Sequence, residues 1–166
     1  MRLTKIISGA QSGVDLAALA FALDHGYDIG GACPFNYANE DGQIPERFRP
    51  YLECTPTVNY PARTRLNVKR ADATLLLWRG RKMTPGTALT FRIMRERAEQ
   101  CRYPYLSIQA PFGDVAAAQI HDWLRDPKIR VLNVAGPRES KAPGIYSEVY
   151  ELLARALPAR VREEAN

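Results

Sequence analysis

Three short segments rich in glycine, serine and threonine have the composition of loops that bind phosphate groups. They span residues 8–13 (SGAQSG), 85–87 (PGT) and 133–140 (NVAGPRES). Each follows an apolar run typical of a strand and precedes a stretch typical of a helix. In a parallel α/β sheet such junctions meet at the carboxyl ends of the strands, where helix N-termini offer N–H groups to an anion. The three segments therefore predict one pocket for a phosphorylated small molecule.

The first segment combines backbone freedom with polar side chains. Gly9 and Gly13 allow the backbone to turn tightly and to approach a ligand without an intervening Cβ. The polar side chains of this segment are Ser8, Gln11 and Ser12. The spacing is not GxGxxG, no acidic residue ends the second predicted strand, and no GxxxxGK[ST] motif is present. A dinucleotide cofactor and a P-loop nucleotide site are therefore not expected.

The other two segments could bind the same phosphate from further sides. Gly86 and Thr87 open a predicted helix, although a proline and a glycine before a helix are also ordinary turn residues. Arg138 carries a guanidinium group that can bind a phosphate or a carboxylate with two hydrogen bonds. The alternative for Arg138 is an ion pair on the surface with Glu139 or Glu148.

Two further pairs of polar residues are candidates for the site. Arg63 and Asn67 lie four residues apart, so a helix would place both on one face, where they either reach the ligand or brace the neighbouring loop. Glu40 and Asp41 are adjacent carboxylates that could orient a ring N–H donor or act as acid and base. The alternative for this pair is a solvated position without a function.

Strands and helices alternate along the chain. Strands are predicted at 3–7, 28–32, 73–78, 105–108 and 130–134, and helices at 14–23, 63–70, 86–101, 115–124 and from Pro143 onwards. Ser12 is predicted to cap the first helix. The segment 34–61 has no sustained period, which is typical of a binding loop or of a surface excursion with short strands of its own.

This alternation predicts an α/β protein with a three-layer Rossmann-like fold, in which a mainly parallel sheet is flanked by helices. With 166 residues, 46% of them hydrophobic, the chain can bury one substantial core. We expect a single ligand-binding domain over residues 1–158 and a polar tail over 159–166.

Composition excludes several classes of partner. The net charge is +5, but the basic residues are interleaved with Asp and Glu, which argues against a nucleic-acid groove. No apolar run approaches the length of about 18 residues that a membrane span requires, and the N-terminus lacks a signal-peptide pattern, so a cytoplasmic location is predicted. The cysteines and histidines lack the spacing of a metal site, so free thiols and no protein-ligated metal are expected.

Taken in order, these segments closely resemble the molybdenum carrier family over nearly the whole chain. The matching residues lie at 8–15, 30–31, 40–42, 60, 63–64, 67–68, 85–87 and 132–140. That family is similar to the molybdenum cofactor carrier proteins. It belongs with the lysine-decarboxylase-like and cytokinin-activating proteins to a broad group of Rossmann-like proteins.

The resemblance implies a homo-oligomeric protein that binds the molybdenum cofactor, a phosphorylated pterin that holds the metal through its own dithiolene sulfurs. The first loop with Gly86 and Thr87 would hold the phosphate, while Arg63, Asn67 and Arg138 would add charge and hydrogen bonds. The candidate ligand-binding residues are Ser8, Gly9, Gln11, Ser12, Gly13, Glu40, Asp41, Arg63, Asn67, Gly86, Thr87, Gly136 and Arg138.

One departure from the wider group bears on catalysis. The cytokinin-activating relatives use a PGGxGTxxE segment, whose glutamate helps to cleave the N-glycosidic bond of a nucleotide. Thr90 stands in the place of that glutamate here. We therefore expect a binding protein without turnover. The alternatives are a nucleotide-processing enzyme, in which Glu40 or Asp41 replaces the glutamate, and a nucleotide sensor.

Overall fold

The computed structural model describes residues 1–56 and 60–160, except for the side chain of Tyr60. In chain order, its strands and helices are β1 (Lys5–Ile7), α1 (Val14–Asp24), β2 (Asp28–Gly30), β3 (Ala32–Cys33), β4 (Ala38–Asn39), β5 (Gly42–Gln43), β6 (Glu53–Cys54), α2 (Tyr60–Arg70), β7 (Ala73–Trp78), α3 (Pro85–Cys101), β8 (Tyr105–Gln109), α4 (Asp114–Trp123), β9 (Val131–Ala135) and α5 (Ile145–Ala156). Short 3₁₀ turns occur at Phe35–Tyr37, Arg49–Tyr51 and Glu139–Lys141.

A parallel five-stranded sheet forms the centre of the molecule, in the order β2-β1-β9-β7-β8. The predicted three-layer Rossmann-like fold is confirmed. Strand β7 lies inside this sheet and is apolar along nearly its whole length, because helices cover both faces. Such a strand cannot alternate between a core face and a solvent face.

The helices divide between the two faces of the sheet. Helix α5 packs against α1 and α4 on one face, and α2 packs against α3 on the other. This division follows from right-handed crossovers, since α1 and α3 lead to strands on opposite sides of the sheet. If the chain is read from β9 onwards, the strand order becomes 3-2-1-4-5, which is the order of a doubly wound nucleotide-binding sheet.

Helix α1 begins at Val14, as the sequence predicts, but its cap differs from the prediction. Gly13 occupies the N-cap position and no side chain caps the helix, so the prediction that Ser12 caps it is wrong. The hydroxyl of Ser12 bonds to other loops instead. The helix is buried on nearly all sides and ends at His25.

The segment 34–56 is a surface excursion with short strands of its own. Strand β3 pairs with β6, and β4 and β5 form a small antiparallel hairpin. Ile44 and Phe48 are buried and fix the excursion to the core. Residues 57–59 of the predicted irregular segment lie outside the described residues.

The last helix begins two residues after the predicted proline. Its first turn is held by Glu139, whose carboxylate accepts the backbone N–H groups of Gly144 and Tyr146. Beyond this helix, the backbone N–H of Arg160 donates to the carbonyl oxygen of His25 at 2.8 Å. The chain is thus held as far as Arg160, within the predicted polar tail, of which 161–166 lie outside the described residues.

Candidate functional site

A cleft of about 250 Å³ lies at the carboxyl edge of the sheet, between β9 and β7. These strands are neighbours, but the helices that follow them, α5 and α3, cover opposite faces. Ligands of open α/β sheets bind at such a switch point. The cleft is lined by Thr84, Pro85, Gly86, Thr87, Gly136, Pro137, Arg138 and Lys141.

One wall of the cleft is the N-terminus of α3. Thr84 is the N-cap, and its hydroxyl oxygen accepts the backbone N–H of Thr87 at 3.3 Å. Pro85 supplies no N–H, and helix geometry leaves the N–H of Gly86 without a partner inside the helix. The sequence prediction that Gly86 and Thr87 open a helix at the site is consistent with this wall, which brings the positive end of the helix dipole to the cleft.

The opposite wall is the 136–141 loop, which carries Arg138 and Lys141. The guanidinium of Arg138 is exposed and makes no ion pair within residues 1–56 and 60–160. Its predicted surface partners are occupied elsewhere. Glu148 pairs with Arg79 at 2.7 Å, and Glu139 holds the first turn of α5. Arg138 therefore brings a positive charge to the cleft that no described carboxylate pairs with.

The far side of the 136–141 loop is closed by the first glycine-bearing segment. A Cβ on Gly13 would lie 2.6 Å from the carbonyl oxygen of Pro137 and 2.7 Å from the backbone nitrogen of Glu139. The hydroxyl oxygen of Ser12 accepts the N–H of Glu139 at 3.1 Å and donates its own proton to Glu40. Ser12 and Gly13 thus join two loops instead of lining the open cleft.

Glu40 completes this closed side. Its carboxylate accepts the hydroxyl of Ser12, the backbone N–H of Ser140 at 3.1 Å, and the hydroxyl of Ser140. Desolvation acts to raise the pKa of Glu40, but these hydrogen bonds and the charge of Arg138 together hold the pKa below its ordinary value. Asp41 is exposed at the turn of the β4–β5 hairpin.

A smaller, inner cavity adjoins the cleft at Gly136, which lines both. The inner cavity measures about 30 Å³, enough for a water molecule. Its lining is polar and comprises Gly9, Gln11, Asp15, Arg63, Thr64, Asn67, Thr90, Asn133, Ala135 and Gly136. The side-chain oxygen Oε1 of Gln11 is buried and has no hydrogen-bond partner among the described residues.

Asp15 is the titratable group of this inner cavity. Burial raises the pKa of Asp15 to about 7, against the opposing effects of backbone hydrogen bonds and of the charges of Arg138 and Arg63. The backbone N–H of Gln11 donates to its carboxylate at 3.3 Å. The cavity thus holds a carboxyl group that changes its charge near neutral pH.

Two predicted site residues serve as braces. The amide of Asn67 accepts the N–H of Ala32 at 2.7 Å and donates to the carbonyl oxygen of Ala32 at 3.1 Å. Asn67 therefore braces the neighbouring loop, which is one of the two roles that the sequence leaves open for it. Ser8 is fully buried, and its hydroxyl donates to the backbone carbonyl of Asp15 and accepts the N–H of Ala10, each at 3.2 Å.

Arg63 and Thr90 lie in the inner cavity rather than in the open cleft. Arg63 is buried there, near enough to Asp15 to lower the pKa of its carboxyl. The hydroxyl of Thr90 donates to the carbonyl oxygen of Gly86 at 3.2 Å. Gly9 lies against the carboxylate of Asp15, since a Cβ on Gly9 would be 3.0 Å from the carboxylate oxygen Oδ2. The predicted residues therefore lie in three places: the open cleft, the closed side of the 136–141 loop, and the inner cavity.

Sequence reasoning missed Asp15 and Lys141 as site residues. Asp15 lies in the first turn of α1, where the helix dipole favours a carboxylate, so its local pattern is that of an ordinary helix residue. The sequence does contain a signal for the burial of Asp15, because α1 is apolar on almost every face. A carboxylate in such a helix has no polar face to occupy, so it must be buried or must line a cavity.

The sheet order and the glycine-bearing loops at its carboxyl edge define a protein of the Rossmann-like class. Within that class, the chain belongs to the circularly permutated YpsA SLOG family, whose model matches residues 6–157. The position of β9 between β1 and β7 agrees with that description, since moving β9 to the start of the chain restores the doubly wound order.

A solved structure from Syntrophus aciditrophicus SB is similar to the whole chain. It is described as a "putative molybdenum carrier protein", is 40% identical, covers 94% of this chain and 96% of its own, and has a TM-score of 0.83. A second structure, a probable maltose operon transcriptional repressor malR from Staphylococcus aureus, is 14% identical over 92% of this chain and 75% of its own, with a TM-score of 0.37. No protein of curated function matches.

The described part of the chain offers neither a metal cluster nor a membrane span. No group of three or more His, Cys, Asp or Glu residues in it is arranged to hold a metal ion. None of its helices has both the length and the apolar character that crossing a membrane demands. Cys33, Cys54 and Cys101 form no disulfide in the structure.

Proposed function

We propose that the protein binds a phosphorylated small molecule in the cleft between α3 and the 136–141 loop, and that its cargo is the molybdenum cofactor. The observation that carries this proposal is the position of Arg138, an arginine without an ion pair among the described residues, opposite the N-terminus of a long helix. A phosphate group between them would meet the guanidinium, the helix dipole and the N–H of Gly86 together.

The dimensions of the cleft suit part of such a ligand. At about 250 Å³ it falls slightly below the range of roughly 300–1,000 Å³ that small-molecule sites occupy. The cleft would therefore hold the phosphate and the adjoining part of the molecule, with the remainder outside. A second copy of the chain, in the proposed homo-oligomer, could cover that remainder.

The choice of cargo is supported by the structural neighbour at 40% identity, which is described as a molybdenum carrier. In the proposed complex the metal stays on the sulfurs of the pterin, and the protein supplies the anion site through Arg138 and Lys141. Such a carrier needs no chemical step, only an affinity that protects the cargo and allows its release.

The test is the analysis of small molecules and metal that co-purify with the native protein. Wild-type protein is expected to retain a phosphorylated pterin with molybdenum, and Arg138→Ala is expected to lose most of it. Arg125→Ala is the matched control, because Arg125 is exposed in the connection between α4 and β9, at the opposite edge of the sheet. A different phosphorylated compound in the wild type would refute the cargo, and equal retention by Arg138→Ala would refute the site.

A second candidate function is hydrolysis of the N-glycosidic bond of a nucleotide, and Asp15 is the observation that favours it. Its carboxyl, with a pKa of about 7, lines a cavity that is large enough for a water molecule. The same cavity is lined by Thr90, which replaces the glutamate of the cytokinin-activating relatives. Asp15 could therefore activate a water molecule as a general base. Glu40 is less suited, since its carboxylate is held by Ser12 and Ser140.

This candidate is tested by measuring the release of free base from nucleoside monophosphates. If Asp15 acts as the base, Asp15→Asn should lower the rate by about 10²–10⁴-fold. Asp28→Asn, which makes the same change at an exposed position on β2, should leave it unchanged. A wild-type protein that releases no base from any nucleoside monophosphate would eliminate the hydrolase and leave the carrier.

A further inference from the structure

Three hydrogen-bond donors from two different loops converge on the carboxylate of Glu40. They are the hydroxyl of Ser12, the hydroxyl of Ser140 and the backbone N–H of Ser140 at 3.1 Å. Arg138 lies close enough to act electrostatically on the same carboxylate. Glu40 itself belongs to neither loop, because it comes from the β4–β5 hairpin. A segment distant in the sequence therefore supplies the acceptor for all three donors.

This donor set has the chemistry of an oxyanion site. Serine hydroxyls, a backbone N–H and a nearby guanidinium bind phosphate oxygens as readily as carboxylate oxygens, because both groups are charged acceptors. The hydroxyl oxygen of Ser12 also accepts the N–H of Glu139 at 3.1 Å, so its own proton points away from that N–H and stays free to donate to an anion.

Glu40 is carried by a small hairpin at the surface, outside the core. Strands β4 and β5 have two residues each, and Asp41 and Gly42 at their turn are exposed. The first fully buried anchor after the hairpin is Ile44.

We propose that Ser12 and Ser140 form a second oxyanion site, which the carboxylate of Glu40 fills in the free protein and which a phosphate group occupies after displacing Glu40. This inference rests on the proposed function only for the class of ligand, a phosphorylated small molecule. Glu40 then competes with phosphate for this second site. The apparent affinity of the site is lowered in proportion to the fraction of molecules in which the hairpin is open.

The test measures the binding of inorganic phosphate by following the backbone amide signals of ¹⁵N-labelled protein. The amide of Ser140 reports this site, and the amides of Gly86 and Thr87 report the cleft. If the hairpin is open in a tenth of the molecules or fewer, Glu40→Gln should tighten phosphate binding at Ser140 by about tenfold or more. Glu46→Gln, the same change at an exposed position of the same excursion, should have no effect.

Adding Ser140→Ala to Glu40→Gln should abolish the gain, because the alanine lacks the hydroxyl donor. A folded Glu40→Gln protein that binds phosphate at Ser140 no more tightly than the wild type would overturn the inference. Signals at Gly86 and Thr87 are independent of this result, so the cleft and the second site can fail separately.

If Glu40→Gln does not fold, a measurement on the wild type tests whether phosphate displaces Glu40. Saturating inorganic phosphate should speed hydrogen exchange of the backbone amides at Asp41 and Gln43, because displacement of Glu40 releases the hairpin. Exchange at Phe48, in the anchored part of the excursion, should stay the same. Unchanged exchange at Asp41 and Gln43 under saturating phosphate would contradict the displacement.

Discussion

The two sides of the 136–141 loop contrast sharply, although sequence composition predicts a phosphate site on both. On one side, Gly13 and Ser12 pack against the loop and Glu40 joins them. On the other side the loop faces α3 across a cleft of about 250 Å³. A glycine-bearing turn is thus compatible with an open site and with a closed contact. What distinguishes them is whether the donors of the turn are already used by the protein.

The difference has a physical cause in the partners of each side. The donors of the closed side meet the carboxylate of Glu40, so that little unsatisfied polarity remains there. The open side has Arg138, which makes no ion pair among the described residues, and its two predicted partners, Glu139 and Glu148, are engaged elsewhere. Arg138 acts on the carboxyl groups of Glu40 and Asp15 but pairs with neither, so its charge and the adjacent helix N-terminus favour a ligand anion in the cleft.

The largest effect on stability is expected at Asp15, which lines the inner cavity. Its pKa lies at about 7 in the folded protein and near 3.9 in an unfolded chain, so the folded state keeps a proton that the unfolded state loses between these values. Its contribution is therefore fully present below about pH 4 and is lost as the pH rises to about 7. At about 1.4 kcal/mol for each pKa unit, the loss is roughly 4 kcal/mol.

Asp15→Asn should remove this dependence, because the amide stays neutral. Urea unfolding between pH 4 and pH 8 checks it: the fall in unfolding free energy with pH should be several kcal/mol smaller in Asp15→Asn than in the wild type. Asp28→Asn should retain the slope of the wild type. Parallel profiles for Asp15→Asn and the wild type would mean that the inner cavity holds no buried carboxyl of raised pKa.

The close packing of the closed side can be disrupted at Gly13. Gly13 and Gly144 both have positive φ, at 73° and 85°, but only Gly144, with ψ −2°, lies in the left-handed helical region that other residues adopt at modest cost. Gly13 has ψ −125°, outside that region, so alanine meets more backbone strain at Gly13 as well as closer contacts. Only at Gly13 would the Cβ come within 3 Å of backbone atoms, whereas nothing lies within 4 Å at Gly144. We expect Gly13→Ala to lower the unfolding free energy by about 1–3 kcal/mol more than Gly144→Ala. Equal losses in urea unfolding would show that the two loops do not pack this closely.

The open side can be examined by substitution of its two basic residues. Arg138→Ala should weaken the binding of a nucleoside monophosphate by about 10–100-fold, since charged hydrogen bonds contribute about 1.5–3 kcal/mol. Lys141→Ala should have a smaller effect, because an exposed lysine acts mainly as a screened charge. Titration calorimetry at two salt concentrations measures both, with Arg125→Ala as the control. An equal loss in all three variants would indicate a general effect of net charge.

A weaker effect is expected at the wall opposite Arg138. Thr84→Ala removes the hydroxyl that caps α3 and should lower the unfolding free energy by about 1 kcal/mol. Thr84→Ser keeps the hydroxyl and should lose only a few tenths. If both variants lose the same amount in urea unfolding, the cap does not order this wall of the cleft.

The sequence sufficed for features that depend on local pattern. Strand β7 occupies its predicted residues, and α1 begins at the predicted Val14, because continuous apolar runs between turn residues allow few other structures. The convergence of the glycine-bearing loops at one edge follows in the same way from parallel strands.

Contacts between distant segments could not be predicted in this way. The pairing of Glu40 with Ser140 joins residues 100 positions apart, and nothing in either segment selects the other. The same limit explains Ser12, which has the local pattern of a cap but bonds to Glu40 and Glu139. For Asp15, burial depends on residues far away in the sequence, such as Arg63, Thr90 and Asn133, that line the same cavity.

The proposed position of the phosphorylated ligand, on the open side of the 136–141 loop, can be checked by titrating ¹⁵N-labelled protein with a purine nucleoside monophosphate. The amides of Gly86, Thr87 and Arg138 should shift and saturate together, and Arg138→Ala should weaken the response. A separate cleft is lined by Arg79, Phe112 and Arg155, among others. Shifts confined to that cleft, or no shift at the α3 wall at saturation, would contradict the proposed position.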